Sequence, residues 1–188
     1  MNLKYEDIKT PEELLEWMQN ITYGYLGKEK PHTYQEPDFN EVWYDEYLLS
    51  KPEEVIENKI GNCWDQTELE RKWFRDHNYK VKTIYVMVNL PYENIYPTHS
   101  YLIYQDKDNS WKWFENSDFN NRGIHTKNNE QEIINYQLTK YKEFLKTFNI
   151  TKEELEKIII KVYEEPKYHI TAEEYINHVI NSKDYKGE

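Results

Sequence analysis

One part of the chain carries strand patterning, and it follows directly on a helix. VKTIYVMVNL (residues 81–90), HSYLIY (99–104) and WKWFE (111–115) are rich in β-branched and aromatic residues. Asp106-Lys107-Asp108-Asn109 is a turn between the last two, so those strands are expected to pair antiparallel, and Pro91 and Pro97 bracket a loop before them. Immediately upstream, residues 63–77 (CWDQTELERKWFRDH) read as a strong helix. Its apolar or small positions are Cys63, Thr67, Leu69 or Glu70, Trp73 and Phe74, and Asn78 suits the left-handed residue past its end. Whatever the chain folds into must seat this helix against that run of strands.

On both sides of this block the chain reads as helical. Thr10-Pro11-Glu12-Glu13, Ser50-Lys51-Pro52-Glu53, Thr151-Lys152-Glu153-Glu154 and Thr171-Ala172-Glu173-Glu174 are capping boxes. The first opens a helix to about Asn20 that buries Leu14, Leu15, Trp17 and Met18. The second opens a short helix buried through Val55 and Ile56 and stopped by Gly61. The last two head helices reaching about Tyr163 and Ser182, and residues 129–147 place Ile133, Ile134, Leu138, Tyr141 and Leu145 near the 3.6 period. Trp43, Tyr44, Tyr47 and Leu48 also recur at helical spacing, whereas residues 22–40, with Gly24, Gly27, Pro31 and Pro37, read as a long loop. A chain of 188 residues is expected to form a single domain. Its core spans about 50–125, with a helical extension over 1–49 and a helical segment over 126–188.

Composition narrows the function classes. Aromatic residues make up 16% of the chain, with 18 Tyr and 6 Trp, which marks a globular protein rather than a disordered one. The formal net charge is −11 and no Lys/Arg cluster offers a basic face, which argues against nucleic acid and against an anionic membrane surface. The N-terminus, MNLKYEDIKTPEE, has no apolar targeting core, and no run approaches the ~18 apolar residues of a membrane span. Cys63 is the only cysteine, so no intrachain disulfide is available; together these features point to a cytoplasmic protein with a reduced thiol. His32, His77, His125, His169 and His178 show no metal-ligand spacing, so no metal is expected, nor any cofactor.

Three polar residues fall at element ends in the central block. Cys63 begins the helix, His99 begins a strand, and Glu115 ends the strand paired with it. A helix N-terminus turns backbone N–H groups and positive dipole toward the sulfur, which favours the thiolate that attacks. An imidazole within reach takes the proton and later returns it to a leaving group. A carboxylate on the other ring nitrogen fixes its orientation. The tight turn between the two strands brings His99 and Glu115 side by side. The plainer role of a lone cysteine is to fill a core; the preceding Gly61, the helix start and the downstream histidine favour a nucleophile here. Asp65 is expected to serve structure as an acceptor near the helix N-terminus, Trp64 packing or a cleft wall, and residues 120–125 (NNRGIH) a turn in which Arg122 stands near the site.

Residues 50–86, SKPEEVIENKIGNCWDQTELERKWFRDHNYKVKTIYV, resemble the core of the transglutaminase-like superfamily, relatives of the papain-like cysteine proteases. The shared pattern is a short helix, a glycine, then Cys with Asp two residues later inside a helix, then a strand; Gly61, Cys63 and Asp65 match it. A histidine opening a later strand matches at His99. Where the family has Asp after a Trp-containing strand, this chain has Glu115, one methylene longer, and Asn116 beside it is the alternative because papain-like enzymes use Asn there. The resemblance covers about residues 50–116. It implies an α+β fold with the Cys-bearing helix packed on a small antiparallel β-sheet, with extra helices at both ends. It further implies a cysteine-dependent amidase, peptidase or acyl transferase acting through a thioester on a peptide or protein substrate, with basic or Gln/Lys side chains as one option. The Cys63 N–H is one expected oxyanion donor, and an upstream residue, for which Trp43 is the candidate, supplies the second. The competing reading is a catalytically silent binding or accessory module of the same fold, and a redox-sensing thiol is a remote third.

Overall fold

The computed structural model describes residues 3–90 and 96–186; residues 91–95, within the loop expected between Pro91 and Pro97, lie outside the described residues. The helices are α1 (Pro11–Met18), α2 (Phe39–Glu46), α3 (Pro52–Asn58), α4 (Cys63–Asp76), α5 (Glu130–Leu145), α6 (Lys152–Leu155) and α7 (Ala172–Ile180). The strands are β1 (Gly24–Leu26), β2 (Pro31–Thr33), β3 (Lys80–Val88), β4 (His99–Gln105), β5 (Trp111–Glu115), β6 (Gly123–Lys127), β7 (Ile158–Tyr163) and β8 (Lys183–Asp184). The fold is α+β. A six-stranded sheet of order β6-β5-β4-β3-β7-β8, antiparallel throughout, forms its centre, and β1 and β2 make a separate hairpin.

Period-2 alternation gives this sheet two apolar faces. Ile84, Val86 and Val88 of β3 and Tyr101 and Ile103 of β4 point to the side covered by α5 through Ile133, Ile134, Tyr141 and Leu145. Tyr85 and Met87, with Leu102 and Tyr104, point to the side covered by α4. The Cys-bearing helix thus lies between the sheet and an outer layer. That layer is α1 at one end, through Leu14, Trp17 and Met18, and α7 at the other, through Tyr175, Ile176 and Val179.

Sandwiching α4 in this way buries its charged residues too. Every residue from Cys63 to Arg71 is buried, Glu68, Glu70 and Arg71 among them. Arg71 pairs with Glu68 at 2.6 Å and donates to Thr83 of β3 and to the Tyr163 carbonyl of β7. The Tyr163 hydroxyl in turn donates to Glu68 and accepts from Tyr175 of α7 at 3.0 Å. A buried charge is tolerated only when paired and hydrogen-bonded, and this network pairs Arg71 with Glu68, leaving only the Arg71 Nε without a partner, and fastens the C-terminal elements to α4.

Several sequence expectations change at this level. The helix headed by Thr151 ends at Leu155, and residues 158–163 form β7, inserted beside β3. IIIKVY alternates once it is paired, with Ile158, Ile160 and Val162 entering the α5-side core; a four-residue helix stops because the adjacent sheet edge satisfies the backbone better. The segment 126–188 is therefore mixed rather than helical, and part of 120–125 enters β6. The loop at 22–40 contains the β1–β2 hairpin. At α3 the N-cap is Lys51, whose N–H donates to Glu54 Oε2 at 2.7 Å, one residue later than the Ser50 box. That helix is closed by Lys59 in the left-handed conformation (φ 55°) rather than by Gly61. Gly61 instead marks a close approach, since a Cβ there would lie 3.1 Å from Asp65 Cβ, a tight contact. The boxes at Thr10, Thr151 and Thr171 form as expected, and Asn78 is left-handed (φ 62°) past the end of α4. Among the described residues no helix is long and apolar enough to cross a membrane.

The Asp65 carboxylate holds the start of α4. Oδ2 accepts from the Asn62 N–H at 3.0 Å, while Oδ1 accepts from the Ser50 N–H at 2.9 Å and the Tyr47 hydroxyl at 3.0 Å. Replacing it with alanine strands these buried donors at ~1–3 kcal/mol each. Asp65→Ala is expected to destabilise the protein by about 3 kcal/mol or more in denaturant melts, and Asp65→Asn, which keeps one acceptor oxygen, by less.

Candidate active site

The turn that begins α4 is built by reciprocal capping. Asn62 Oδ1 accepts from the N–H groups of Trp64 and Asp65, at 2.9 and 3.3 Å, and Asp65 returns the bond to the Asn62 N–H. Gln66 donates to the Gly61 carbonyl at 2.7 Å, fixing the approach from α3. Asn62, followed three residues later by Asp65, is a local capping signal of the same kind as the Thr boxes. Cys63 is thereby held at the first position of α4, buried (6% exposed) yet lining a cleft of about 410 Å³.

His99 enters from β4. The residues just before it are clamped from two sides: Trp64 Nε1 donates to Thr98 Oγ1 at 3.3 Å, and the Tyr141 hydroxyl of α5 donates to the Pro97 carbonyl at 2.7 Å. Glu115 closes β5, the neighbouring strand, and its Oε2 lies 2.7 Å from His99 Nε2. Its Oε1 accepts from Ser117 Oγ at 2.9 Å and the Asp118 N–H at 2.8 Å, so the buried carboxylate is anchored at both oxygens. With Nε2 committed to Glu115, Nδ1 is the ring nitrogen left over for Cys63. The imidazole is 14% exposed, and it lines the same cleft as Cys63.

The electrostatics favour a charged pair. Burial by itself lowers the His99 pKa, but the Glu115 carboxylate and the contact with Cys63 outweigh it and raise it well above the usual 6.5. Glu115 is pushed up by burial and pulled further down by His99 and its donors, ending below the usual carboxylate value. Glu70, one face-repeat after Cys63 on α4, is buried behind the pair. Burial first, then the charge of Glu115, raises it well above the usual value, the opposite direction to Glu115.

The remaining candidates fall elsewhere. Asn116 points away from His99: its Nδ2 donates to Gln66 Oε1 at 2.7 Å and to the Met18 carbonyl at 3.1 Å, bridging α4 to the end of α1. Trp64 is 2% exposed and stacked on Tyr175 at 4.2 Å, a core residue of the α7 side, and Trp43 packs edge-on against it at 5.5 Å; neither lines the cleft. Arg122 donates to the Asn116 carbonyl at 2.9 Å and lies over the Phe119 ring. In place of an indole, the Tyr23 hydroxyl reaches the sulfur, 3.9 Å from Cys63 Sγ. Burial and then the adjacent Cys63 raise the Tyr23 pKa well above 10, so the phenol remains a donor. Nothing in the pattern of residues 22–40 marks Tyr23; the β1–β2 hairpin that carries it against Cys63 is a tertiary feature. Among the described residues no cluster of three or more His, Cys, Asp or Glu converges on a metal site.

Residues 1–111 match the model of a family described as a transglutaminase-like domain, a span that contains Cys63 and His99 and ends before Glu115. No curated protein and no solved structure matches the chain significantly.

The linkage signs define a pH window. His99 is raised, so its share of the stability from the pair is full below the free value of 6.5 and lost as pH rises through the elevated folded value. Glu115 is lowered, so its share is full above 4.5 and lost as pH falls through the depressed folded value. In a ¹⁵N-detected titration, His99 is expected to stay protonated well above pH 6.5, and Glu115→Gln to bring its midpoint down. An unchanged midpoint in the variant contradicts the assignment of Glu115 as the cause.

Proposed function

The chain belongs to the transglutaminase-like domain family, and from that premise we propose that it is a cysteine-dependent amidase or acyl transferase acting on peptide or protein substrates, with hydrolysis the preferred outcome. The observation that carries this reading is the engagement of His99 Nε2 by the anchored Glu115 at 2.7 Å, which leaves the other nitrogen for Cys63. The longer Glu in place of Asp is accommodated because Ser117 and Asp118 hold its second oxygen.

The chemistry runs from these positions. The Cys63 thiolate adds to an amide carbonyl carbon, forming the C–S bond as the carbonyl electron pair moves onto oxygen. The Cys63 N–H is free of the Asn62 cap, which serves Trp64 and Asp65, and we assign it as one donor to that oxygen. The Tyr23 hydroxyl is the second, because it lies 3.9 Å from the sulfur, within reach of an oxygen on the attached carbon. Collapse breaks the C–N bond, and the His99 imidazolium gives its proton to the departing amine. Water then adds to the thioester, His99 takes its proton, and the C–S bond breaks to release the acid; a primary amine in place of water gives acyl transfer. A thiol that must stay reduced to act suits the cytoplasm, the compartment proposed for it.

Alkylation of Cys63 followed against pH tests the nucleophile. The wild-type rate is expected to be high already at neutral pH and to fall by about tenfold or more in His99→Ala; a thiol that reacts only above about pH 8.5 in both would leave the silent-module reading standing. Tyr23→Phe is expected to lower kcat by on the order of 100-fold with less effect on KM. Products formed from acyl donors with and without a primary amine separate transferase from hydrolase.

A further inference from the structure

Large apolar side chains exposed to solvent are scarce on this protein and concentrated at one place. Among the described residues they are Tyr34, Phe119, Phe144 and Phe148. The first three line the cleft that holds Cys63 and His99, and Phe148 packs edge-on against Phe144 at 5.1 Å. An exposed apolar cluster costs solubility unless it binds something. Here it borders a nucleophile, in a cleft whose volume of about 410 Å³ is in the range of small-ligand sites.

The inner wall is set by α5. Gln137, Tyr141 and Phe144 share one face of this helix at i, i+4 and i+7, and all three line the cleft. Gln137 is 2% exposed, and its carbonyl oxygen has no hydrogen-bond partner. A buried amide left unsatisfied at a cleft wall is a site for a polar group that arrives with a ligand. Asp118 is the single carboxylate in the lining, and it is already engaged by the Asn120 N–H at 3.0 Å and Asn121 Nδ2 at 2.6 Å, holding its own loop. Apart from Asp118, whose donors are neutral N–H groups, and the Cys63 and His99 side chains themselves, the cleft offers aromatic faces and uncharged polar groups, the Gln137 amide among them.

We propose that the acyl donor is a peptide carrying an uncharged aromatic side chain of tyrosine type beside the amide that Cys63 attacks, its ring seated between Phe119 and Phe144 and its hydroxyl meeting the Gln137 amide. This inference rests on the acyl-enzyme reading above. The hydroxyl satisfies the amide, and the ring covers apolar surface that is otherwise wet.

The test is a set of acetyl-dipeptidyl fluoromethyl ketones in which one residue at a time is Tyr, Phe, Gly, Lys or Asp. Inactivation rates are measured on wild type, Phe119→Ala, Phe144→Ala and Gln137→Leu, and each is divided by that protein's own rate with iodoacetamide, which is also measured on His99→Ala. Tyr probes are expected to react about tenfold or more faster than Gly, Lys and Asp probes. Each Phe→Ala variant is expected to lose that advantage, and Gln137→Leu to lose the preference for Tyr over Phe. Rates that ignore the side chain, favour a charged one, or treat Tyr and Phe alike in wild type overturn the proposal. The iodoacetamide arm separates the two failures. A His99-dependent thiol without aromatic preference removes this inference alone, whereas a thiol indifferent to His99 removes the acyl-enzyme reading and this inference with it.

Discussion

The first turn of α4 is held by a single buried carboxylate, and the position of every other part of the site is referred to it. Asp65 takes donors from the α2 end (Tyr47), from the segment before α3 (Ser50) and from its own helix cap (Asn62). Burial pushes this carboxyl up to about 7 although three donors favour its charged form. Their convergence fixes where the chain enters the helix, and so where the sulfur of Cys63 stands. Gly61 belongs to the same constraint, because a Cβ there would press on Asp65 Cβ at 3.1 Å.

The sheet supplies the other half of the site. Register pairs Leu102 with Phe114 and brings the start of β4 and the end of β5 to the same edge, which makes a 2.7 Å contact between His99 and Glu115 possible. Charge is distributed unevenly among the buried acids behind them. Glu115 carries it because its oxygens meet an imidazole, a hydroxyl and a backbone N–H, whereas Glu70 has burial and a like charge against it. The two neighbouring carboxyls are thus shifted in opposite directions by their different surroundings.

The outer elements reach the site through aromatic rings. Tyr23 is held by contacts with Tyr34, Phe39 and Phe119, between 6.2 and 6.5 Å, so its hydroxyl is aimed at Cys63 by packing rather than by strand pairing. On the far side of α4, Trp64 and Tyr175 stack at 4.2 Å, and the Arg71–Glu68 network reaches β7. Segments far apart in the chain thus meet around one helix, which explains why its polar residues are buried.

Local pattern determined a good deal. Alternating β-branched and aromatic residues fix β3, β4 and β5, and the four-residue turn makes β4 and β5 neighbours. Thr caps with Glu three residues later fix the starts of α1, α6 and α7, and a cysteine at a helix start with a histidine at a strand start nominates the nucleophile and its base. These are short-range effects, written in residues near one another in the chain. Tertiary structure decided what depends on partners distant in sequence. IIIKVY becomes β7 because β3 has an open edge, and Asn116 turns toward Met18 and Gln66 while Glu115 turns toward His99. The sulfur meets Tyr23 instead of Trp43 because a hairpin without a local signal folds over it, and hydrogen bonding across such distances leaves no periodicity for a sequence to display.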